Sequence, residues 1–427
     1  MNKLGWLLWV ACIACGDDGS SVRPDAPQAS DAPTDSGADC EAAAPVTVIG
    51  PTYDPDTVTF TASLVSHDAS GAMCGTKEAA AGSEASTTID VPPGGMVTMV
   101  LVDGGDEHHL FTWTEVQPGD ELVFPSLQPG GLTPKMVDVE VTVPPRAGVT
   151  TFDVYVQCEH GGGGLSQPAP AGVFTRTVEC MSSATAVTAM VAAEDNGVTQ
   201  YAVSEITPIA ATGPTSLTLG SWTPAASPTV TVHGTAGFDR AFASYVPGPT
   251  PEYHSVSMLS FENVSSDPVT VGPRDVPSTW GNQIVVGITQ TAEPAHTLQL
   301  ALDQTTPMAV DLTTATDFLP LVSGELTAAL PRPSITWSTD GPATADAVYL
   351  NAGTWLLVTR AEPGTVRFPE VPADLLPVEP AKVQAIVLID AKTVAGFEDV
   401  RRTPARPYMD REYTVSTLGE SIDGIVP

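Results

Sequence analysis

Two short stretches of this chain hold the side chains best suited to chemistry. The first is Asp103-Gly-Gly-Asp-Glu-His-His109, which places three carboxylates and two imidazoles within seven residues. Asp103, Asp106 and Glu107 form a candidate calcium site, because hard cations take clustered oxygen ligands. Their spacing is not that of a recognised calcium loop, and a polar hairpin turn is the competing reading. A strand beginning at His108 sends the two histidines to opposite faces, His109 with Phe111 and Trp113, His108 with Leu110 and Thr112, so they are poorly placed to share an ion. The second stretch is Cys158-Glu-His160, followed by Gly161 to Gly164. A cysteine and a histidine two apart on a strand share a face, which suits a thiolate nucleophile. The competing partner for Cys158 is Cys180. The glycine run continues into Leu165-Ser166, where a phosphate loop requires Gly-Lys-Ser/Thr. There is no Gly-x-Ser-x-Gly elbow and no His-Glu-x-x-His helix. The seven histidines (His67, His108, His109, His160, His233, His254, His296) stand at no zinc-site spacing. Among fifty carboxylates nothing nominates a glycosidase pair, and no cofactor is implied.

The elements that must carry these residues are strands. Val137-Asp-Val-Glu-Val-Thr-Val143 and Thr229-Val-Thr-Val232 alternate apolar and polar residues. Alternation with period two means one buried and one solvated face, as in an antiparallel sheet. Forty prolines and 37 glycines punctuate such runs at strand-plus-turn spacing. Thr185–Ala193 and Val198–Ile206 read as a hairpin across Glu194-Asp-Asn-Gly197, whose Asn-Gly pair supplies the positive φ angles of a tight turn. Met96–Val102 and His108–Val116 read as a second. Only Ala79–Ala85 and Val394–Arg401 are helix candidates, and both are short. The expected fold is therefore all-β, a tandem of antiparallel β-sandwiches of immunoglobulin-like type following a disordered tether. Trp222, Trp280 and Trp337 recur at intervals of 58 and 57, which fits repeated modules, propeller blades or coincidence equally.

The N-terminus sets the location. Met1-Asn-Lys, an apolar run from Leu4 to Ala14 and then Cys15 form a secretory signal, too short to span a bilayer at about 20 residues. Ending on Ile13-Ala14-Cys15, it resembles the lipobox of bacterial lipoproteins, although Cys12 stands where that family prefers leucine. The resemblance implies lipidation of the Cys15 thiol and cleavage before it. Residues 16–39 carry six aspartates, three prolines and two copies of Asp-Ala-Pro. Such a segment cannot bury enough apolar surface to offset its ordering entropy, and as a flexible coil of about 25 residues it spans roughly 25–30 Å. Acidic, Ala-Pro-rich tethers of this kind are common in Gram-negative surface lipoproteins. Gly16, rather than aspartate, after the lipid site leans toward the outer membrane. Cys40, Cys74, Cys158 and Cys180 then remain for two disulfides. Three pairings are open, and sequence neighbours, Cys40 with Cys74 and Cys158 with Cys180, are favoured because each pair lies within one domain-sized stretch.

Charge bounds the partners. The formal net charge is -33, with 50 acidic against 17 basic residues and no lysine between Lys135 and Lys382. A phosphate-binding surface needs clustered cations, so nucleic acid is not an expected partner, and anionic lipid would be repelled. The one basic cluster, Arg401, Arg402, Arg406 and Arg411, lies beside Glu398, Asp399, Asp410 and Glu412, and local pairing is expected. Length and Pro/Gly-rich joints suggest a signal (1–14), a tether (15–39), β-sandwich domains over 40–130 and 131–212, and β-rich domains over 213–305 and 306–427. These features point to a non-enzymatic, lipid-anchored envelope protein acting in binding, adhesion or structure, its membrane contact made by the lipid and its ligand a protein or a glycan. The alternatives are an exported hydrolase with a dispersed site and a solute-capturing lipoprotein, the latter opposed by the scarcity of helices.

Overall fold

The computed structural model describes residues 40–50, 61–79, 86–102, 108–123, 135–159, 162–181, 184–250, 253, 257–292, 294–327, 332–342, 344–376, 383–402 and 412–419. The fold is all-β. Strands make up 61% and helices 5%, so the sheets must cover one another. The α-helices of the described residues, α1 (Thr314–Asp317) and α2 (Phe397–Arg402), are short, and no helix among the described residues is long and apolar enough to cross a membrane.

One seven-strand plan recurs along the chain. The first sandwich comprises β1 (Ala44–Ile49), β2 (Thr61–His67), β3 (Met73–Glu78), β4 (Ser86–Val91), β5 (Gly95–Val102), β6 (His108–Val116) and β7 (Glu121–Val123). β1 lies between antiparallel β4 and parallel β7, facing a second sheet of order β3-β2-β5-β6. The second sandwich comprises β8 (Lys135–Val143), β9 (Phe152–Cys158), β10 (Gly163–Ala169), β11 (Gly172–Cys180), β12 (Ala186–Asp195), β13 (Val198–Val203), a short β14 (Thr207–Pro208) and β15 (Thr215–Thr218). Its sheets run β11-β8-β15 and β10-β9-β12-β13, the same order. β16 (Thr223–Ala226) continues the larger sheet. The third comprises β17 (Val230–His233), β18 (Arg240–Gly248), β19 (Met258–Asn263), β20 (Val269–Val271), the two-residue β21 (Val276–Pro277), β22 (Gly281–Gln290), β23 (His296–Gln304) and β24 (Val310–Thr313). Its sheets run β20-β17-β24 and β19-β18-β22-β23, and β21 pairs β16.

The fourth sandwich keeps the plan but changes the source of one strand. It comprises β25 (Val322–Thr327), β26 (Ser334–Thr339), β27 (Ala347–Ala352), β28 (Trp355–Thr359), β29 (Gly364–Arg367), β30 (Val383–Ala391) and β31 (Tyr413–Gly419). β26 sits between β29 and β25, facing β28-β27-β30-β31. In the first three sandwiches the seventh strand returns parallel to the first; here β25 precedes the central strand and is antiparallel to it. Numbered in order, the plan is 4-1-7 against 3-2-5-6, whereas the immunoglobulin constant type runs 1-2-5-4 against 3-6-7. The architecture is shared and the strand order differs. The tryptophan spacing does not mark equivalent positions: Trp222 precedes β16, Trp280 precedes β22 and Trp337 lies on β26.

Alternation explains the small sheets. Val137, Val139, Val141 and Val143 of β8 are buried against Val154, Val156, Val187 and Val191. The hairpin of β12 and β13 turns at Asn196 (φ 52°) and Gly197 (φ 76°), a pair of left-handed residues that suits a two-residue turn. Each disulfide ties the two sheets of one sandwich together. Cys40, in a 3-10 turn before β1, bonds Cys74 on β3, and Cys158 at the end of β9 bonds Cys180 at the end of β11.

The larger sheets join edge to edge. Those of the third, fourth and first sandwiches form one twelve-stranded sheet of order β19-β18-β22-β23-β31-β30-β27-β28-β6-β5-β2-β3. β23 meets β31 antiparallel, and β28 meets β6 parallel, Trp355 opposite Leu110 and Val358 opposite Trp113. The first sandwich packs its small sheet on one face, with Val46, Val48 and Ile89 against Met99 and Trp113. The fourth packs its small sheet on the other, with Ile335 and Trp337 against Trp355 and Leu357. Strands at this seam are therefore buried on both faces, and β27 and β28 have no exposed residue. The second sandwich meets the third through Met190, Tyr201 and Trp280, with Gln157 Nε2 donating to the Pro247 carbonyl at 3.0 Å.

Removing the second bridge by Cys158→Ser with Cys180→Ser should cost about 3 kcal/mol in the chain-entropy account. Hydrogen exchange is expected to show a loss of roughly two orders of magnitude in protection over β9, β11 and β12, and unchanged protection there would contradict that stapling role.

Candidate functional site

The seam between the first and fourth sandwiches holds a buried hydroxyl relay and a cluster of ion pairs. On the face covered by the fourth sandwich, a hydrogen-bonded relay crosses from one sandwich to the other. The Trp355 indole N–H donates to Thr112 Oγ1 at 2.9 Å, Thr112 lies 2.8 Å from Thr98 Oγ1, and Thr98 lies 3.0 Å from His67 Nε2. Trp355, Thr98 and His67 are fully buried, and Thr112 nearly so. The period-two geometry of β2, β5 and β6 puts Val65, Val100 and Leu110 on this same face, so the relay sits in apolar surroundings. His67 Nδ1 has no hydrogen-bond partner. Burial, with Arg332 nearby, pulls the imidazole from its ordinary 6.5 to about 3 against the smaller opposing pull of Asp68, so it is neutral at pH 7.

The cover over His67 comes from the fourth sandwich. Arg332 donates to the Ser70 carbonyl at 2.7 Å, the Phe368 carbonyl at 3.0 Å and the Glu370 carboxylate at 2.9 Å, and the Glu370 N–H donates to the Gly71 carbonyl at 2.8 Å. Gly71 has φ 80°, and a Cβ there would stand 2.7 Å from Arg332 and 3.0 Å from the Pro369 backbone, so this close approach needs glycine. Asp68 shapes the turn beneath. Burial pushes its carboxyl up, but bonds from the Ser70 hydroxyl and from the Ala72 and Ser70 N–H groups outweigh burial and hold it below the usual carboxylate range.

On the opposite face, helix α2 (Phe397–Arg402) closes the seam with ions. Arg401, 1% exposed, donates to the Glu115 carbonyl at 2.9 Å and pairs with Asp120 at 2.9 Å and with Glu398 one turn back. Arg360 pairs with Glu115 and Glu398, and both guanidiniums stack over the Phe397 ring, 5.2 and 5.5 Å from its centroid. The local pairing expected for the arginine cluster is seen between Arg401 and Glu398. Arg401 and Arg402 both reach Asp120, a residue remote in sequence, while Arg406 and Arg411 lie outside the described residues.

The residues singled out by sequence fall elsewhere. Cys158 is oxidised to Cys180 and holds no free thiolate, and His160 lies outside the described residues. So do Cys15 and the calcium candidates Asp103, Asp106 and Glu107. His108 and His109 open β6 opposite Val102 and Leu101. His233 pairs with Asp311 at an exposed position, 2.7 Å apart. Among the described residues, no group of three or more His, Cys, Asp or Glu side chains is placed to hold a metal ion. No protein-family model matches the chain, and no curated protein matches it in sequence.

One carboxylate pair is assembled by the fold. Asp346 accepts the N–H groups of Ala391 at 2.9 Å and Gly396 at 2.8 Å, which commits both its oxygens to the backbone that leads into α2. Asp390 sits beside it, and burial, followed by the Asp346 charge, raises its carboxyl to about 6. The arrangement braces a loop. Sequence reasoning missed the relay and the ion cluster because their members come from both ends of the chain. A usable signal was present: Trp355-Leu-Leu-Val is an apolar run without alternation, the pattern of a strand covered on both faces.

Arg401→Met should destabilise the protein by about 3 kcal/mol, because it takes the near cation from the almost buried Asp120 and leaves only Arg402, 3.7 Å away, to face it; denaturant melts test this, and a change under about 1 kcal/mol would contradict it. Asp390 acts with the opposite sign. Its folded-state value lies above the unfolded one, so its stabilising contribution is complete below about pH 4 and is lost as pH rises through about 6. Asp390→Asn should therefore raise stability at pH 7.5, by roughly 1 kcal/mol after screening at this partly buried site, with no gain at pH 3.5 in thermal melts.

Proposed function

We propose that this protein is an exported, lipid-anchored lipoprotein of the outer membrane whose β-sandwiches serve, without catalysis, as a binding, adhesion or structural module. One observation carries the reading: a short signal-like stretch (1–14) before Cys15 and an acidic Asp-Ala-Pro segment precede an all-β body with two disulfides. Disulfides persist in oxidising compartments, so the body belongs outside the cytoplasm. Each part then has a physical task. The Cys15 thiol carries the lipid that holds the chain at the bilayer. The acidic segment 16–39, too polar to bury itself, links that lipid to the body. The net charge of -33 keeps the body off anionic headgroups. The twelve-stranded sheet makes three of the sandwiches one continuous platform, the property expected of a spacer or a presenting surface.

Cys15→Ala should move the protein from the detergent-extracted membrane fraction to the aqueous fraction and abolish labelling by a fatty-acid analogue. If the variant stays with membranes, the anchor reading fails. Protease shaving of intact cells, with a periplasmic control, is expected to remove the sandwiches if they face outward and thereby to support adhesion or capture. Full protection would confine the protein to the periplasmic side and count against adhesion.

A further inference from the structure

The relay at the seam has a direction, and the direction follows from one atom. An indole N–H can only donate, whereas each threonine hydroxyl donates once and accepts twice. Trp355 donates to Thr112. The Thr112 proton then has Thr98 as its acceptor, and the Thr98 proton has His67 Nε2. In this order every hydroxyl proton is used, and only His67 Nδ1–H lacks a partner. The reverse order, with Nε2 donating to Thr98 and Thr98 to Thr112, leaves both the Thr112 proton and the Nδ1 lone pair unpartnered. Neutral His67 with a bare Nε2 is therefore the form that fits a closed seam.

Protonation upsets this arrangement. The added proton on Nε2 forces the relay to invert, orphans the Thr112 hydroxyl proton and places a cation among buried apolar side chains. The groups facing that cation do not compensate it. Asp68, at the end of the same strand, has Oδ1 engaged by Ser70 and Ala72. Arg332, from the fourth sandwich, is a like charge, with Arg367 and Glu370 beside it. β5, β6 and β28 offer the neutral Thr98, Thr112 and Trp355. Arg332 and the Phe368–Glu370 segment are bonded to Ser70 and Gly71 beside the fully buried ring, and lifting them would open this side of it to water.

We propose that protonation of His67 releases the first sandwich from the fourth, so that the seam is an acid-opened clasp. Opening separates β6 from β28 and exposes the face bearing Val65, Val100 and Leu110, both of which could then pair with another surface. The sign follows from linkage. A histidine whose closed-state value is depressed leaves the seam at full strength above its ordinary 6.5, and the closed state weakens as pH falls below that value.

Hydrogen exchange on the full mature chain, corrected for intrinsic rates, tests the clasp. Exchange in residues 108–116 and 355–359 is expected to rise about tenfold for each pH unit below 6.5, while β8, β9 and β12 stay protected. In His67→Gln the amide oxygen can accept from Thr98 and does not titrate, so the rise should vanish. Long-range nitrogen–proton spectra of protein labelled at histidine nitrogen should show His67 protonated on Nδ1 and bare on Nε2 at pH 7.5, which tests the relay even if the variant does not fold. Exchange unchanged between pH 7.5 and 5, a rise retained in His67→Gln, loss of protection in the second sandwich in step with the seam, or a proton on Nε2 at pH 7.5 would each overturn the proposal.

Discussion

The pairing of β6 with β28 is the interaction on which the rest of the structure depends. A four-stranded sheet at the edge of a sandwich ends in a row of unsatisfied N–H and C=O groups, and its outer face is normally left to water. Here strand ends that sandwich edge and begin the next one, so the backbone groups are satisfied and both faces must be covered. Covering them requires the small sheet of the first sandwich on one side and that of the fourth on the other. The doubly buried strands, the indole relay and the arginine cluster all follow from that demand.

The two sides of the seam solve the burial of polar groups differently. On the side of α2, charges are kept and paired: Arg401 is enclosed by Asp120, Glu398 and the Glu115 carbonyl, and the Phe397 ring lies beneath. A buried ion set of this kind contributes little net stability but resists the loss of any member, because the remainder is left unsolvated. On the other side, charge is avoided, and a neutral imidazole ends a chain of hydroxyls. The first arrangement holds the seam by paired charge, the second by a chain of neutral donors and acceptors. Their coexistence across one sheet gives the seam both strength and a point of weakness.

Particular residues show how much was legible in the sequence. Period-two alternation in Val137–Val143 gave β8 and its buried face, and Asn196-Gly197 gave the β12–β13 turn. Val394–Arg401 was legible as a short helix and overlaps α2. The strand order was not legible, because β1 pairs with β4 and β7 through backbone atoms that every residue possesses. The recurrence of the 4-1-7 and 3-2-5-6 plan leaves no matching residues either, since a buried valine on one strand serves as well as an isoleucine on another. His67 illustrates the same limit within the site. It stands alone in sequence, and its partners Thr98, Thr112, Trp355 and Arg332 converge only when both ends of the chain meet.

Local chemistry, then, was decided by the sequence itself: the strand period, the turns, and two pairs of cysteines close enough in sequence to bridge within single sandwiches. These are properties of a residue and its near neighbours, and they need no knowledge of what lies across the fold. The tertiary structure alone decided which sheet edges join, that the seventh strand of the fourth sandwich comes from before its first, and that His67 is linked to Trp355 through Thr98 and Thr112. Edge joining is a backbone interaction without a side-chain signature, and the seam's polar groups acquire their protonation and pairing only from the burial that joining imposes.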